Sequence, residues 1–181
     1  MPFILAGAAL AQPVPELSSI DAAAFEDVGV ATSAPRFDPA ALRARVQQSQ
    51  ESFLSLVAAQ PRYTYTERYS SWTGYSHTVT VTVDSGAVVE SGFQAYGRDG
   101  RTEEWVERGE TLNTHGRVFP MTMEGHYARC LQTVLSQDPT QHEVYLSFFD
   151  NGVLRMCAYR NVHCVDDCTH GTRLGSFSFL P

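Results

Sequence analysis

The chain has 181 residues, 43% of them hydrophobic, which is the size of one ordinary domain with a real core. Only 18% of residues are charged and the formal net charge is −7, so no basic field exists to hold a phosphate backbone and nucleic acid is not an expected partner. No apolar run approaches the roughly 20 residues a membrane-spanning helix needs, so no span is expected.

Residues 1–11 form an apolar run closed by Ala9-Leu10-Ala11, the small-x-small pattern that signal peptidase accepts. It predicts cleavage before Gln12 and a secreted or periplasmic protein, although the basic stretch that normally opens such a segment is missing. Residues 12–36 carry Pro13, Pro15 and Pro35 among small and acidic residues, and read as a flexible tether. A single α+β domain is expected over residues 37–181.

That domain opens on a helix. Asp38 is an N-cap candidate with Pro39 at the first helical position, and Phe37 and Leu42 are placed to form a hydrophobic staple. Leu42, Val46, Ser49, Phe53, Leu56 and Val57 recur at helical spacing until Gln60-Pro61. The period then changes to two. Tyr63, Tyr65 and Tyr69 alternate with polar residues, as do Val79, Val81 and Val83. Their apolar faces coincide if Trp72-Thr73-Gly74 is a three-residue loop, which pairs Tyr65 with Val81 and Tyr63 with Val83. The same reasoning at Asp84-Ser85-Gly86 pairs Val83 with Ala87, Val81 with Val89 and Val79 with Ser91.

Residues 102–112, with Thr102 as a possible cap, read as a short helix, and 113–121 as a loop. Met123, Tyr127, Cys130, Leu131, Val134 and Leu135 make the stripe of a second main helix after a Thr122 cap, ending at Asp138-Pro139. Asn151-Gly152 is a strong hairpin signal between His142–Phe149 and Val153–Tyr159; a two-residue turn there sets Leu146 opposite Cys157 and Val144 opposite Tyr159. A last strand is expected over about Thr172 to Leu180. The expected architecture is an antiparallel sheet, a meander plus a C-terminal hairpin, with two main helices packed on one face.

The stretch Tyr63-Thr64-Tyr65 followed by Val79 to Val89, with its glycine turn, resembles a family of bacterial exported proteins known only as a domain of unknown function. The resemblance covers about half of the chain and implies export and an α+β sheet, with no activity or site residues. That family tends to carry cysteines in the first hairpin, whereas this chain places all four after residue 129.

An even number of cysteines in an exported chain predicts two disulfides, with three possible connectivities. Cys130–Cys157 is preferred because helix and hairpin aim both at a shared interface, and Cys164–Cys168 because they are close in sequence. If the chain is not exported, Cys130 and Cys157 are expected as buried free thiols. His163, Cys164, Cys168 and His170 offer a second reading, as ligands of zinc or another transition metal in a metal-binding protein or metal-assisted hydrolase. Four donors would have to converge at about 2.0 to 2.3 Å with the thiols ionised, and an oxidised pair consumes both sulfurs. The disulfide loop is therefore preferred, with no cofactor expected.

No catalytic or phosphate-binding motif is present. His115, His126, His142 and Glu124 read as scattered surface residues, and His77 as a histidine at the edge of the sheet core. Trp72, Tyr75, Tyr96 and Trp105 could mark a binding surface, set against simple packing. The expected function is a non-enzymatic exported module binding a protein or an envelope component, through one sheet face or the loop around residues 160–171.

Overall fold

The structure, a computed structural model, describes residues 35–166 and 168–181. The leader-like segment 1–11, and the tether apart from its last two residues, lie outside them. The described order is α1 (Pro39–Ala59), β1 (Arg62–Ser70), β2 (Ser76–Asp84), β3 (Ala87–Gly97), β4 (Gly100–Arg108), a 3-10 turn (Gly109–Thr111), α2 (Met123–Arg129) with a π-helical continuation (Cys130–Val134), then β5 (His142–Phe148), β6 (Leu154–Asn161) and β7 (Thr169–Phe179).

All seven strands join one antiparallel sheet in the order β4-β3-β2-β1-β7-β6-β5. Two local meanders, β1–β4 and β5–β7, therefore meet only where β1 pairs with β7. Strand residues Tyr63, Tyr65, Val79, Val81, Val83, Phe93, Cys157 and Leu174 share one core cluster with Val46 and Phe53 of α1 and with Met123, Tyr127, Cys130 and Val134 of the second helix. We call the face they line the inner face. Phe53 is fully buried against the rings of Tyr63, Tyr127 and Phe177, a burial that contributes about 2 to 3 kcal/mol. On the opposite face, Thr64 lies between Thr82 and Ser178, and Thr66 between Thr80 and Ser176, where hydroxyls tolerate water.

Helix α1 starts as its sequence dictates, with the Asp38 carboxylate accepting from the N–H groups of Ala40 and Ala41. The first hairpin pairs Tyr65 with Val81 and Tyr63 with Val83, and Gly74 takes the positive φ of its loop. The second hairpin differs from expectation. Ser85 and Gly86 both have positive φ, which makes a two-residue turn that pairs Asp84 with Ala87. Val89 then bulges out, so Val81 faces Ser91 and Val79 faces Phe93. Alternation settles which face a residue takes; it cannot distinguish registers two residues apart. At Asn151-Gly152 the loop is closed by the Phe149 N–H to Val153 carbonyl bond, one residue wider than expected. An offset at Arg155 compensates, and Leu146 still meets Cys157 and Val144 still meets Tyr159.

The expected short helix over 102–112 is strand β4 instead. Trp105 opposes Phe93 and Glu107 opposes Ser91, so pairing to β3 overrides the helical preference of the glutamates. A buried carboxylate on the inner face disguised the two-residue period. The second helix closes earlier than Asp138: the Leu135 N–H reaches back five residues to the Cys130 carbonyl, and this π turn keeps Cys130, Val134 and Leu135 all inward.

Candidate functional site

The β1–β7 ladder runs from Tyr63–Phe179 to Glu67–Leu174 and stops there. Gly175 is the extra residue at its last step; a Cβ there would lie 2.9 Å from Thr66 Oγ1. Beyond that point Arg68–Ser70 pair with β2 alone, and Thr169–Arg173 with β6 alone. The two meanders part, and a cleft of about 280 Å³ opens in the fork. Glu67, Arg68, Tyr69 and Ser70 form one wall; Thr169, Gly171 and Arg173 of β7 form the other, with His77 of β2 behind. Gly171 is required on its wall: its φ is +132°, and a Cβ would come within 2.3 Å of the Cys157 carbonyl.

Behind the cleft lies a buried polar network. His126 is fully buried, and its Nε2 lies 3.1 Å from Glu67 Oε1 and 3.1 Å from the Tyr65 hydroxyl. Tyr65 donates its own proton to the Met121 carbonyl at 2.5 Å, so both neighbours of Nε2 are acceptors and Nε2 carries the hydrogen. Nδ1 is 2.9 Å from the hydroxyl of Thr172, itself buried. Burial, reinforced by the charge of Glu67, pushes the Tyr65 phenol far above its ordinary range. Tyr63 shifts the same way, chiefly by burial; its hydroxyl accepts from Met123 N–H and donates to Glu124. The expectation that His126 lies on the surface is thus overturned: it is a core residue bonded through both nitrogens. Glu124, two residues earlier, reaches the rim of the same core.

His77 stacks on Tyr69 with ring centroids 5.2 Å apart, and its buried Nδ1 has no hydrogen-bond partner among the described residues. Desolvation pulls its pKa below the usual histidine value, against the opposing charge of Glu67. From His77 an aromatic series crosses the inner face through Phe93 and Trp105 to His115, the last pair 4.5 Å apart and parallel. His115 sits in a loop clamped by Glu107, whose carboxylate accepts from the N–H groups of Asn113 and His115, the Thr114 hydroxyl and His115 Nδ1. Burial pushes this carboxyl up, but those hydrogen bonds outweigh it and bring it down to about 2.

No family model, curated protein or solved structure matches the chain. The chemistry of the site therefore stands on its own residues.

A second hollow of about 320 Å³ lies between α1 and the β5–β6 turn. Ser49 there donates to the Gly152 carbonyl at 2.6 Å and accepts from Tyr127, whose hydroxyl also receives the Leu154 N–H. Those bonds are structural. The fork, in contrast, gathers ionisable groups at solvent.

The residues singled out from sequence are placed as follows. Cys130–Cys157 and Cys164–Cys168 are disulfides, with Cα separations of 5.6 and 6.1 Å. The first ties the buried end of the second helix to β6, and the second closes the β6–β7 loop beside the cleft. His163 and His170 are exposed; His170 lies against Tyr159. Among the described residues no group of three or more His, Cys, Asp or Glu is placed to hold a metal. Trp72 at its hairpin tip and Tyr96 on β3 are exposed, whereas Tyr75 packs on Tyr69 and His77, and Trp105 lies between Phe93 and His115. Glu67, Arg68, His126, Thr172 and Arg173 were not legible as a site. The one available signal was Glu67, a carboxylate in phase with the inward tyrosines.

Proposed function

We propose that this chain is an exported, disulfide-stabilised, non-enzymatic binding module, secreted or periplasmic, whose ligand enters the fork between β1 and β7. Both main helices would support it from one face of the sheet. The observation carrying this reading is the interruption of the β1–β7 ladder at Glu67, where a half-exposed carboxylate is braced by a fully buried histidine. A braced, preorganised polar group in a small cleft suits recognition. Binding is favoured over catalysis because His126, the histidine in contact with Glu67, is sealed behind it with both nitrogens engaged. The two disulfides favour an oxidising compartment. The loop nominated from sequence, residues 160–171, contributes Thr169 and Gly171 to one wall. The partner would be a protein or envelope component presenting a small polar group.

The test is a titration of isotopically labelled full-length protein with cationic, anionic, zwitterionic and neutral small molecules, followed by amide chemical shifts. Shifts clustered at residues 67–70, 77 and 169–173, with each compound recovered unchanged, are expected. Shifts confined to the Trp72 tip or the outer face, or turnover of a compound that E67Q abolishes, would overturn the reading.

A further inference from the structure

The groups lining the fork are not of one charge. Most arginines of this chain are engaged elsewhere: Arg36, Arg62, Arg101, Arg108 and Arg117 pair with carboxylates, and Arg45 and Arg155 lie over phenylalanine rings. Arg68 and Arg173 are exposed on opposite walls of the cleft, and neither has a hydrogen-bond or ion-pair partner among the described residues. The planar fork of each guanidinium matches a carboxylate or phosphate.

On the inner side of the same cleft the acceptors collect. Glu67 uses Oε1 toward His126 and leaves Oε2 without a partner among the described residues. His77 lines the same side; its Nδ1 is buried without a hydrogen-bond partner among the described residues, and desolvation lowers the basicity of the ring. The Tyr69 ring stacked on His77 adds an aromatic face, which attracts cations.

The geometry points to a small zwitterion as the ligand of this cleft: an ammonium seated on Glu67 and the Tyr69 ring, and an acid group held by Arg68 and Arg173. This rests on the reading of the fork as the binding site. The volume of about 280 Å³ lies at the lower end of the range for small-molecule sites, which suits a free amino acid or a very short peptide and excludes a long chain segment wholly inside. Opposite charges at the two ends also fix the ligand's direction, so a molecule with only one of them loses both affinity and orientation.

The experiment uses full-length oxidised protein and calorimetric titration with a panel of free L-α-amino acids, then with the N-acetyl and the C-terminal amide forms of the best binder. Each blocked form is expected to bind at least tenfold more weakly. E67Q is expected to abolish the advantage of the free amine over the acetylated form, and the double variant Arg68→Ala with Arg173→Ala the advantage of the free acid over the amide. The blocked forms test the wild-type protein directly, so a variant that fails to fold does not spare the proposal. If a blocked form binds as tightly as the parent, with shifts still at the fork, the zwitterion assignment is wrong and the fork survives as the site. If no compound perturbs the fork, both fall.

Discussion

Replacing Cys130 and Cys157 together by alanine removes a cross-link between residues 27 apart in sequence, one on the second helix and one on β6. In the chain-entropy model a closed loop of that length confers about 3.5 kcal/mol at 25 °C, by restricting the denatured chain. Both sulfurs are fully buried in the core cluster, so losing their contacts adds about 1 kcal/mol. The expected loss of about 4 to 5 kcal/mol is a large part of the 5 to 15 kcal/mol typical of a domain, and lowers Tm by roughly 10 °C or more. The parallel variant C164A/C168A opens a loop of separation 4 and is expected to lose about 2 kcal/mol or less. Urea unfolding followed by both fluorescence and circular dichroism measures each. Because the first cross-link acts mainly on the unfolded state, its removal should also raise the m-value. Equal losses for the two pairs, or less than about 1 kcal/mol for C130A/C157A, would refute the assignment of fold stability to the longer loop.

Tyr127→Phe strips the acceptor from the buried Leu154 N–H and the donor from Ser49, and is expected to cost about 1 to 3 kcal/mol in the same urea assay. Gly171→Ala must move the β6 backbone or adopt a strained φ; a loss of about 2 to 4 kcal/mol is expected, with reduced hydrogen-exchange protection at Cys157 and Ala158. Glu107 has its folded pKa depressed from 4.5 to about 2, so its contribution is complete above pH about 4.5 and is lost as pH falls toward 2. Trp105 emission, sensitive to the stacked His115, should therefore change across that window, and E107Q should remove the change. Alkali acts oppositely on Tyr63 and Tyr65. Their phenols ionise in the unfolded chain while the folded state holds them neutral, so stability declines above pH about 10, and Y65F should flatten that decline.

Where local chemistry is strong, the sequence was a sufficient guide. Asp38-Pro39 set the start of α1, Gly74 set the first turn, and the outcome at Leu146–Cys157 held although the turn beside it was a residue wider. Where two periods compete, or where parity alone decides, it was not. Thr102, as a possible cap, suggested a helix over 102–112, yet pairing to β3 and the clamp on Asn113–His115 decide the segment. The second hairpin shifted by two residues, one from the shorter turn that the positive φ angles at Ser85 and Gly86 make and one from the bulge at Val89. The site was the least visible part. His126 and Glu67 are far apart in sequence, and only the pairing of β1 with β7 under the second helix brings them to 3.1 Å.

That same pairing bears on the order of folding. Strands β1 to β4 and β5 to β7 each close through short turns, whereas Tyr63 and Phe179 come from opposite ends of the described domain. Loop-closure entropy makes such a distant contact slow to form, so the two meanders are expected to assemble first and the seam last. The recess beside Glu67 then exists only in the fully assembled molecule. A ligand held there would bind the completed fold and ignore its half-built precursors, so occupancy would itself report that the two halves of the sheet have been joined.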